Sequence, residues 1–193
     1  SNHDFLFYDN QEFSQINLQN GKGYGPFTLN KALDKIYTTR WDNKTDRLHI
    51  YFSKKKEDKA DIGWNKFQQI SIAGVQLNCN YIHPMLSQDE KHLIFSSNQQ
   101  GGLGGYDLWI GDLTDELTLK NVKNLGTYVN TPGDECFPTI YDNNVMFFAS
   151  NGHYGFGKLD LYAGVKSRGG RYMKTYNLGN RFNSTNDDYA LFY

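Results

Sequence analysis

The chain alternates short apolar runs with polar or glycine-rich turns, a pattern that predicts β-strands. Four successive runs in its middle have the length and the branched or aromatic content of strands: 83–87, 92–97, 106–110 and 118–122. A polar turn separates the first two runs, and a loop with four glycines in eight residues, 98–105, precedes the third. The pattern therefore predicts a small antiparallel sheet of four strands, with the last strand at its outer edge.

The same order of runs occurs a second time. The segment FSSN at 95–98 returns as FASN at 148–151, and Asp107 returns as Asp160, in both cases 53 residues later. A weaker copy precedes them, in which residues 36–39 correspond to 94–97 at a spacing of 58. A repeat of roughly 40–50 residues with short aromatic strands between glycine turns is typical of a β-propeller blade.

We therefore expect an all-β fold, a β-propeller of four-stranded antiparallel blades, with about three full blades and partial blades at both ends. The expected full blades are 27–80, 81–134 and 135–187, and the partial ones are 1–26 and 188–193. A propeller usually closes with about four to eight blades, and an open ring leaves strand edges unpaired. We thus expect the chain to be an excerpt of a larger multidomain protein, or its terminal pieces to combine into one incomplete blade.

Composition narrows the classes of partner. Aromatic residues make up 16% of the chain and glycines number 19, which suits strands joined by tight turns. The net charge of −1 gives no argument for a nucleic-acid partner. No apolar run reaches the roughly 18–20 residues that span a bilayer, so we expect no direct membrane insertion by this segment. Cys79 and Cys136 match no metal or redox spacing; one disulfide is possible, but two buried thiols are favoured.

Asp107 and Asp160 stand before equivalent strands and have two interpretations. They are either calcium ligands or channel acids, or they accept hydrogen bonds from backbone amides of the glycine loop. Their repetition favours the structural role, since catalytic residues are rarely duplicated from blade to blade. The glycines at 101–105 run into a strand and are followed by no lysine, so they predict a turn and not a phosphate cradle.

Two acidic pairs, 134–135 and 187–188, are also equivalent in the repeat. Paired carboxylates can hydrolyse glycosides, but adjacent residues of a strand point to opposite faces. We expect one member of each pair at the channel mouth, where it could contact a partner or a cation. The histidines show no metal-ligand spacing; His83 is the one expected to face the channel, and a hydrogen-bonded structural role is favoured for it. We predict no catalytic residue, no metal site and no cofactor.

Aromatic residues in the predicted loops could anchor a protein partner or cap blade edges, since exposed Trp and Tyr often dominate interface energy. The candidate partner-binding residues are Trp41, Trp64, Tyr128, Tyr154, Asp134 and Asp187, with Tyr24 as a further aromatic residue beside a predicted loop.

The repeats also carry a family resemblance. Residues 83–98 (HPMLSQDEKHLIFSSN), residues 101–109 (GGLGGYDLW) and the tails that begin with NLG at 124 and 177 resemble the WD40-like, TolB-like propeller repeat. The version that they most resemble is the one found in large envelope proteins of the Bacteroidetes. The resemblance covers residues 30–193; the usual Pro-Asp-Gly turn appears as QDE at 88–90 and DNN at 142–144.

In that family such propellers commonly lie between a helical tetratricopeptide segment and an OmpA-like peptidoglycan-binding domain. The organisation is most similar to a component of the type IX secretion machinery. The resemblance implies a non-enzymatic scaffold that binds protein partners in the periplasm, associated with the outer membrane. It implies contact with peptidoglycan only through a domain that this chain does not include.

Two alternatives remain open from the residues. One is a propeller hydrolase with acids that converge at the channel from different blades. The other is a carbohydrate-binding propeller that grips muropeptides through aromatic residues of the channel.

Overall fold

In a computed structural model of the protein, residues 5–9, 12–16, 24–57 and 63–191 are described, with side chains from Gly25 onward. The regular structure in these ranges is all β-strand and includes no helix, so none of them holds a helical membrane span. The strands are β1 (Phe5–Asp9), β2 (Glu12–Ile16), β3 (Tyr24–Leu29), β4 (Lys35–Asp42), β5 (Arg47–Lys54), β6 (Gln68–Gln69), β7 (Ser71–Ile72), β8 (Tyr81–Leu86), β9 (His92–Ser97), β10 (Asp107–Asp115), β11 (Thr118–Asn124), β12 (Glu135–Ile140), β13 (Val145–Ser150), β14 (Asp160–Lys166) and β15 (Tyr172–Asn177).

The strands form three consecutive sheets and a separate hairpin. The first sheet has the order β3-β4-β5-β6, the second β7-β11-β10-β9-β8 and the third β12-β13-β14-β15, while β1 pairs only with β2. Neighbouring strands are antiparallel except for β7 and β11. The prediction of an all-β fold built from antiparallel sheets is confirmed, and the number of blades stays a prediction.

The sequence repeat is also a repeat of strand register. Asp107 lies opposite Ser97 in the second sheet, and Asp160 lies opposite Ser150 in the third. The strands β9 and β13 cover the residues that alternation predicts, 92–97 and 145–150. Equivalent residues of these two sheets therefore occupy equivalent positions.

The first sheet departs from the predicted correspondence by one residue. Shifted by 58 residues, the pairing of Ser97 with Asp107 would place Thr39 opposite His49, but the structure pairs Arg40 with His49. The cause is the turn: β4 continues to Asp42, and a tight turn at 43–46 replaces the glycine loop, which leaves one residue fewer between the paired positions. The carboxylate of Asp42 closes this turn by accepting bonds from the Lys44 amide (3.0 Å) and the Thr45 hydroxyl (2.9 Å). The sheet also begins at Tyr24, three residues before the expected blade start.

The second sheet has a fifth strand that the four-stranded prediction missed. The short strand β7 adds in parallel to the outer strand β11, with Ser71 opposite Thr118. Two backbone hydrogen bonds attach this segment to the second sheet. The N–H of Ser71 donates to the Leu117 carbonyl (2.7 Å), and the N–H of Ala73, just after β7, donates to the Leu119 carbonyl (2.8 Å). Ile70 and Ile72 are buried at this crossing, which explains why the chain stays on the sheet here.

Two apolar cores hold the sheets face to face. Side chains of successive strand residues point to opposite faces, so Leu93 and Phe95 of β9 enter the core shared with the first sheet, while Ile94 enters the core shared with the third. The largest fully buried side chains, among them Tyr81, Phe95, Phe148 and Tyr162, divide between these cores. The second sheet is therefore buried on both faces.

Both cysteines are free and buried, as the favoured interpretation predicted. Burial raises the pKa of the Cys136 thiol to about 12. A thiol of that pKa is protonated at neutral pH and is a poor nucleophile or metal ligand.

Removal of the Phe148 ring should test the core between the second and third sheets. Phe148 is fully buried there, so Phe148→Ala should lower the free energy of unfolding by about 3–5 kcal/mol. Phe156, which is 53% exposed in the following loop, is the matched control, and Phe156→Ala should change it by less than about 0.5 kcal/mol. Urea denaturation measures both values, and equal losses would contradict the assigned core.

Candidate functional site: the loop face

The long loops gather at one end of the three sheets, which we call the loop face. It consists of residues 43–46, 73–80, 98–106, 125–134, 151–159 and 178–188, which follow or precede strands at the same edge. The short hairpin turns lie at the other end, which we call the turn face: residues 30–34, 87–91, 116–117, 141–144 and 167–171. Because loops usually carry function on a rigid scaffold, the loop face is the candidate site.

A buried aspartate organises each glycine loop from within. Asp107 is fully buried, and its Oδ2 accepts bonds from the Leu103 amide and from Asn124 Nδ2 (3.0 Å). In the third sheet, Asp160 Oδ2 accepts bonds from the amides of Phe156 (2.6 Å) and Gly157 (3.2 Å). A Cβ atom added to Gly102 would lie 2.1 Å from Asp107 Oδ2, so this loop requires glycine there. These contacts support the structural role of the repeated aspartates.

The second oxygen of each of these two carboxylates, Oδ1 of Asp107 and Oδ1 of Asp160, is buried without a hydrogen-bond partner among the described residues. His49 lies at the corresponding position of the first sheet, and its Nε2 is likewise buried without a hydrogen-bond partner among the described residues. Burial is the main cause that raises the pKa of Asp107, although the bonds from Leu103 and Asn124 oppose it.

A buried asparagine fastens each connection to the third strand of its sheet. Asn130 Oδ1 accepts the Leu108 amide (2.8 Å), and its Nδ2 donates to the Leu108 carbonyl (2.9 Å) and to Asn124 Oδ1 (2.8 Å). Asn183 makes the same three bonds to Leu161 and Asn177, at 2.7, 3.0 and 2.9 Å. The conformation of the loop face is thus set by side chains that reach the backbone.

Asp134 and Asp187 join neighbouring loops. Asp134 is half-buried; it accepts bonds from the Tyr106 amide (2.8 Å) and from Asn151 Nδ2 (3.1 Å) of the third sheet. Asp187 is exposed and accepts the Leu159 amide (3.1 Å), the equivalent of the first of these bonds. Both carboxylates therefore have a positioning role, and partner binding by them stays a prediction.

The other members of the acidic pairs are also engaged. Glu135 is fully buried and does not reach a channel mouth; its oxygens accept bonds from the Thr131 amide (2.9 Å) and from the hydroxyls of Thr131 and Ser150 (2.6 Å each). Burial raises the pKa of Glu135, and these bonds act in the opposite direction. Asp188 repeats the arrangement with the amide and hydroxyl of Ser184.

The structure brings five of the six predicted partner-binding residues to the loop face. Tyr154 is 97% exposed at a loop tip, Tyr128 is half-exposed, and Trp41 is the next-to-last residue of β4, beside the first turn. With Asp134 and Asp187 they share one end of the sheets. Trp64 does not: it is half-buried and bridges to Lys55, at the opposite end of β5.

Sequence reasoning missed several apolar residues of the same face. Exposed apolar side chains also occur at Leu77, Leu103, Phe156 and Phe182. Leu103 and Phe156 are 53 residues apart, so a search for apolar residues at equivalent loop positions would have found them. Tyr24 lies in β3, and its side chain is outside the described part of the chain.

A column of rings lies along the inner strands β8 and β12. The rings of His83 and Phe137 stack at 3.9 Å, and Tyr189 stacks on Phe137 at 5.1 Å between centroids. His83 and Phe137 have positive φ values of 53° and 54° and lie at irregularities in strand pairing. The Phe137 amide donates to His83 Nδ1 (3.4 Å), and burial lowers the pKa of His83 to about 4, so this histidine is neutral at pH 7.

Comparison with known proteins gives one line of support for the fold. The chain is similar to the crystal structure of TolB from Acinetobacter baumannii, with a TM-score of 0.50 and 14% sequence identity. The match covers 88% of this chain and 35% of that one, so this chain spans about a third of TolB. The sequence matches no family model and no curated protein. The likeness establishes a TolB-like, β-propeller type of fold.

Loss of the Asn130 side chain should loosen the loop face. Asn130→Ala leaves the buried Leu108 amide without its acceptor, whereas the Leu108 carbonyl keeps the bond from Leu125 (3.0 Å). One such orphaned group costs about 1–3 kcal/mol of unfolding free energy. Denaturant titration measures this loss, with the exposed Asn180→Ala as the control, for which little change is expected. An unchanged Asn130→Ala protein would refute the fastening role.

Asp107→Asn should alter the pH dependence of stability. Because the folded pKa of Asp107 is raised, wild type gains stability from this group at low pH and loses it as the pH rises through the folded pKa. The amide does not titrate, and its oxygen can still accept the two bonds. The free energy of unfolding of the variant minus that of wild type should therefore increase between pH 3 and pH 7. A decrease over that range would show that the ionised carboxylate stabilises the loop.

Proposed function

We propose that this protein is a non-enzymatic, protein-binding scaffold of the cell envelope, and that the loop face is its binding surface. The most direct support is that aromatic side chains are exposed on loops whose backbone is held in place by hydrogen bonds to buried side chains. Tyr154 and Phe156 project from a loop whose amides bind Asp160. A binding surface that is already ordered loses less conformational entropy when a partner docks.

The repeat sets the spacing of these contacts. Leu103 and Phe156 occupy equivalent tips on adjacent sheets, and the bond between Asp134 and Asn151 ties the corresponding loops together. A partner with apolar side chains at matching separations would meet several anchors at once. Aromatic residues in such positions are common hot spots of interfaces.

The sequence resemblance supports a finer version of the proposal. In it the protein is periplasmic and associated with the outer membrane, and it belongs to an OmpA-family component of the type IX secretion machinery, most similar to PorE. The TolB-like fold is compatible with this assignment. The partners would be proteins of that machinery, and peptidoglycan would be held by a separate domain.

Of the two alternatives, hydrolysis has the weaker support. The carboxylates of Asp134, Glu135, Asp187 and Asp188 are all engaged in bonds that hold loops. A muropeptide-binding role is favoured by one observation, the ring column that ends in Tyr189, a side chain 56% exposed. Stacking of a sugar on that ring is the contact this second candidate requires.

Removal of aromatic tips should weaken partner capture. We expect the immobilised protein to retain a defined set of envelope proteins from extract of its source organism, and Tyr128→Ala/Tyr154→Ala to reduce their yield at least about fivefold, since hot-spot truncations cost about 1–2 kcal/mol or more. The matched control is Tyr141→Ala, a half-exposed tyrosine on the turn face. Among the described residues, Tyr128 and Tyr154 hold neighbouring groups through their backbone carbonyls, so these side chains can be removed with the loops intact.

Three results would count against the scaffold. Capture of no defined partner contradicts it, and so does equal loss with the turn-face control. Binding of soluble peptidoglycan fragments that depends on Tyr189 would favour the muropeptide candidate instead.

A further inference from the structure

A cleft opens on the turn face, at the junction of the first and second sheets. Its volume is about 260 Å³, below the range of about 300–1,000 Å³ typical of small-molecule sites. It is lined by Asn30, Lys35, Tyr37, Leu86, Glu90, Leu113, Asp115 and Glu116. A cleft of this size suits one side chain better than a metabolite.

Carboxylates outnumber cations in this lining. Glu116 is paired with Lys35 (3.2 Å) and Lys54 (2.8 Å). The Glu90 carboxylate accepts a hydrogen bond from the Lys31 amide (2.8 Å), and the Asp115 carboxylate accepts one from the Leu117 amide (2.9 Å). Both donors are neutral, so neither bond neutralises the charge of the carboxylate. The walls between the acids are Tyr37, Leu86 and Leu113, so the cleft is acidic at its rim and apolar within.

All three carboxylates act on the same point in the cleft. The Tyr37 hydroxyl donates to the Glu116 carbonyl (3.1 Å). Burial raises the pKa of Tyr37, and the charges of Glu116, Asp115 and Glu90 raise it further. The same three charges would favour a cation near the Tyr37 hydroxyl.

The corresponding junction of the second and third sheets already contains a lysine. Lys166 is the equivalent of Leu113, 53 residues later. The Leu113 amide donates to the Lys91 carbonyl and the Lys166 amide to the Asn144 carbonyl, both at 2.8 Å. The Lys166 ammonium lies 5.1 Å from the centre of the Tyr172 ring. Burial lowers its pKa, while Asp89 and Asp142 raise it. The repeat thus accommodates an ammonium group in one junction and has leucine in its place in the other.

We propose that the cleft between the first two sheets receives a lysine side chain of a protein partner. The methylene stem would pack on Leu86, Leu113 and the Tyr37 ring, and the ammonium would meet Glu90 and Asp115. Long basic side chains bind in this way, with the stem on apolar surface and the charge at a polar rim. This inference deepens the proposed function by naming the chemistry of one partner contact.

The experiment titrates the intact protein with N-acetyl-lysine methylamide and follows amide signals by NMR. The signals of Leu113, Asp115 and Glu116 should shift and saturate at millimolar probe, and the norleucine analogue, which lacks the charge, should bind more weakly. Glu90→Gln and Asp115→Asn should each weaken binding about 2- to 5-fold, as for exposed ion pairs. Asp46→Asn, at the far end of the first sheet, is the matched control and should bind like wild type.

A third variant supplies the missing lysine from within. Leu113→Lys should fill the cleft as Lys166 fills its own junction, and probe binding should be lost while the spectrum stays folded. Unchanged binding by folded Leu113→Lys, or equal binding of the norleucine analogue, would overturn the proposal. If Leu113→Lys does not fold, the Glu90→Gln/Asp115→Asn protein decides, since undiminished affinity there overturns it as well. Because the probe tests the cleft alone, failure of the titration leaves partner capture standing, and failure of capture leaves the cleft standing.

Discussion

The architecture depends on sheets that are apolar on both faces. In β9, consecutive residues enter two different cores, Leu93 and Phe95 on one side and Ile94 on the other. Such a sheet cannot leave either face in water without exposing several fully buried aromatic side chains, each worth about 1.5–3 kcal/mol of burial. Sheets of this kind must stack side by side.

Stacking by itself leaves the loops undetermined, and polar side chains determine them. Asn130 and Asn183 tie connections to the third strands, while Asp107 and Asp160 collect the amides of the glycine loops. Buried hydrogen bonds of this kind are directional, whereas apolar contacts are not. The apolar cores therefore determine that the sheets associate, and the asparagine and aspartate bonds determine the conformation of the loop face.

Much of the second and third sheets could be predicted from the sequence, because alternation and a constant spacing of 53 residues specify the same strands twice. The first sheet was less predictable because its tight turn at 43–46 removes one residue, and no pattern marks that change. The strand β7 is only two residues long and has no periodicity to detect. Residues 134 and 135 do not lie on one strand, since β12 begins at Glu135, and the burial of Glu135 depends on Thr131 and Ser150, which lie in other segments. The cleft is assembled from turns far apart in the sequence, so its charge could be read only from the fold.

The parallel pairing of β7 with β11 has a mechanical consequence. Polypeptide that leaves the outer edge of the first sheet is hydrogen-bonded into the second before it turns inward to β8. Tension applied along this connection would therefore act on the hydrogen bonds between β7 and β11 of the second sheet, and not on a flexible linker. The first two sheets should accordingly open as one foldon, a cooperative block whose amides exchange with solvent together.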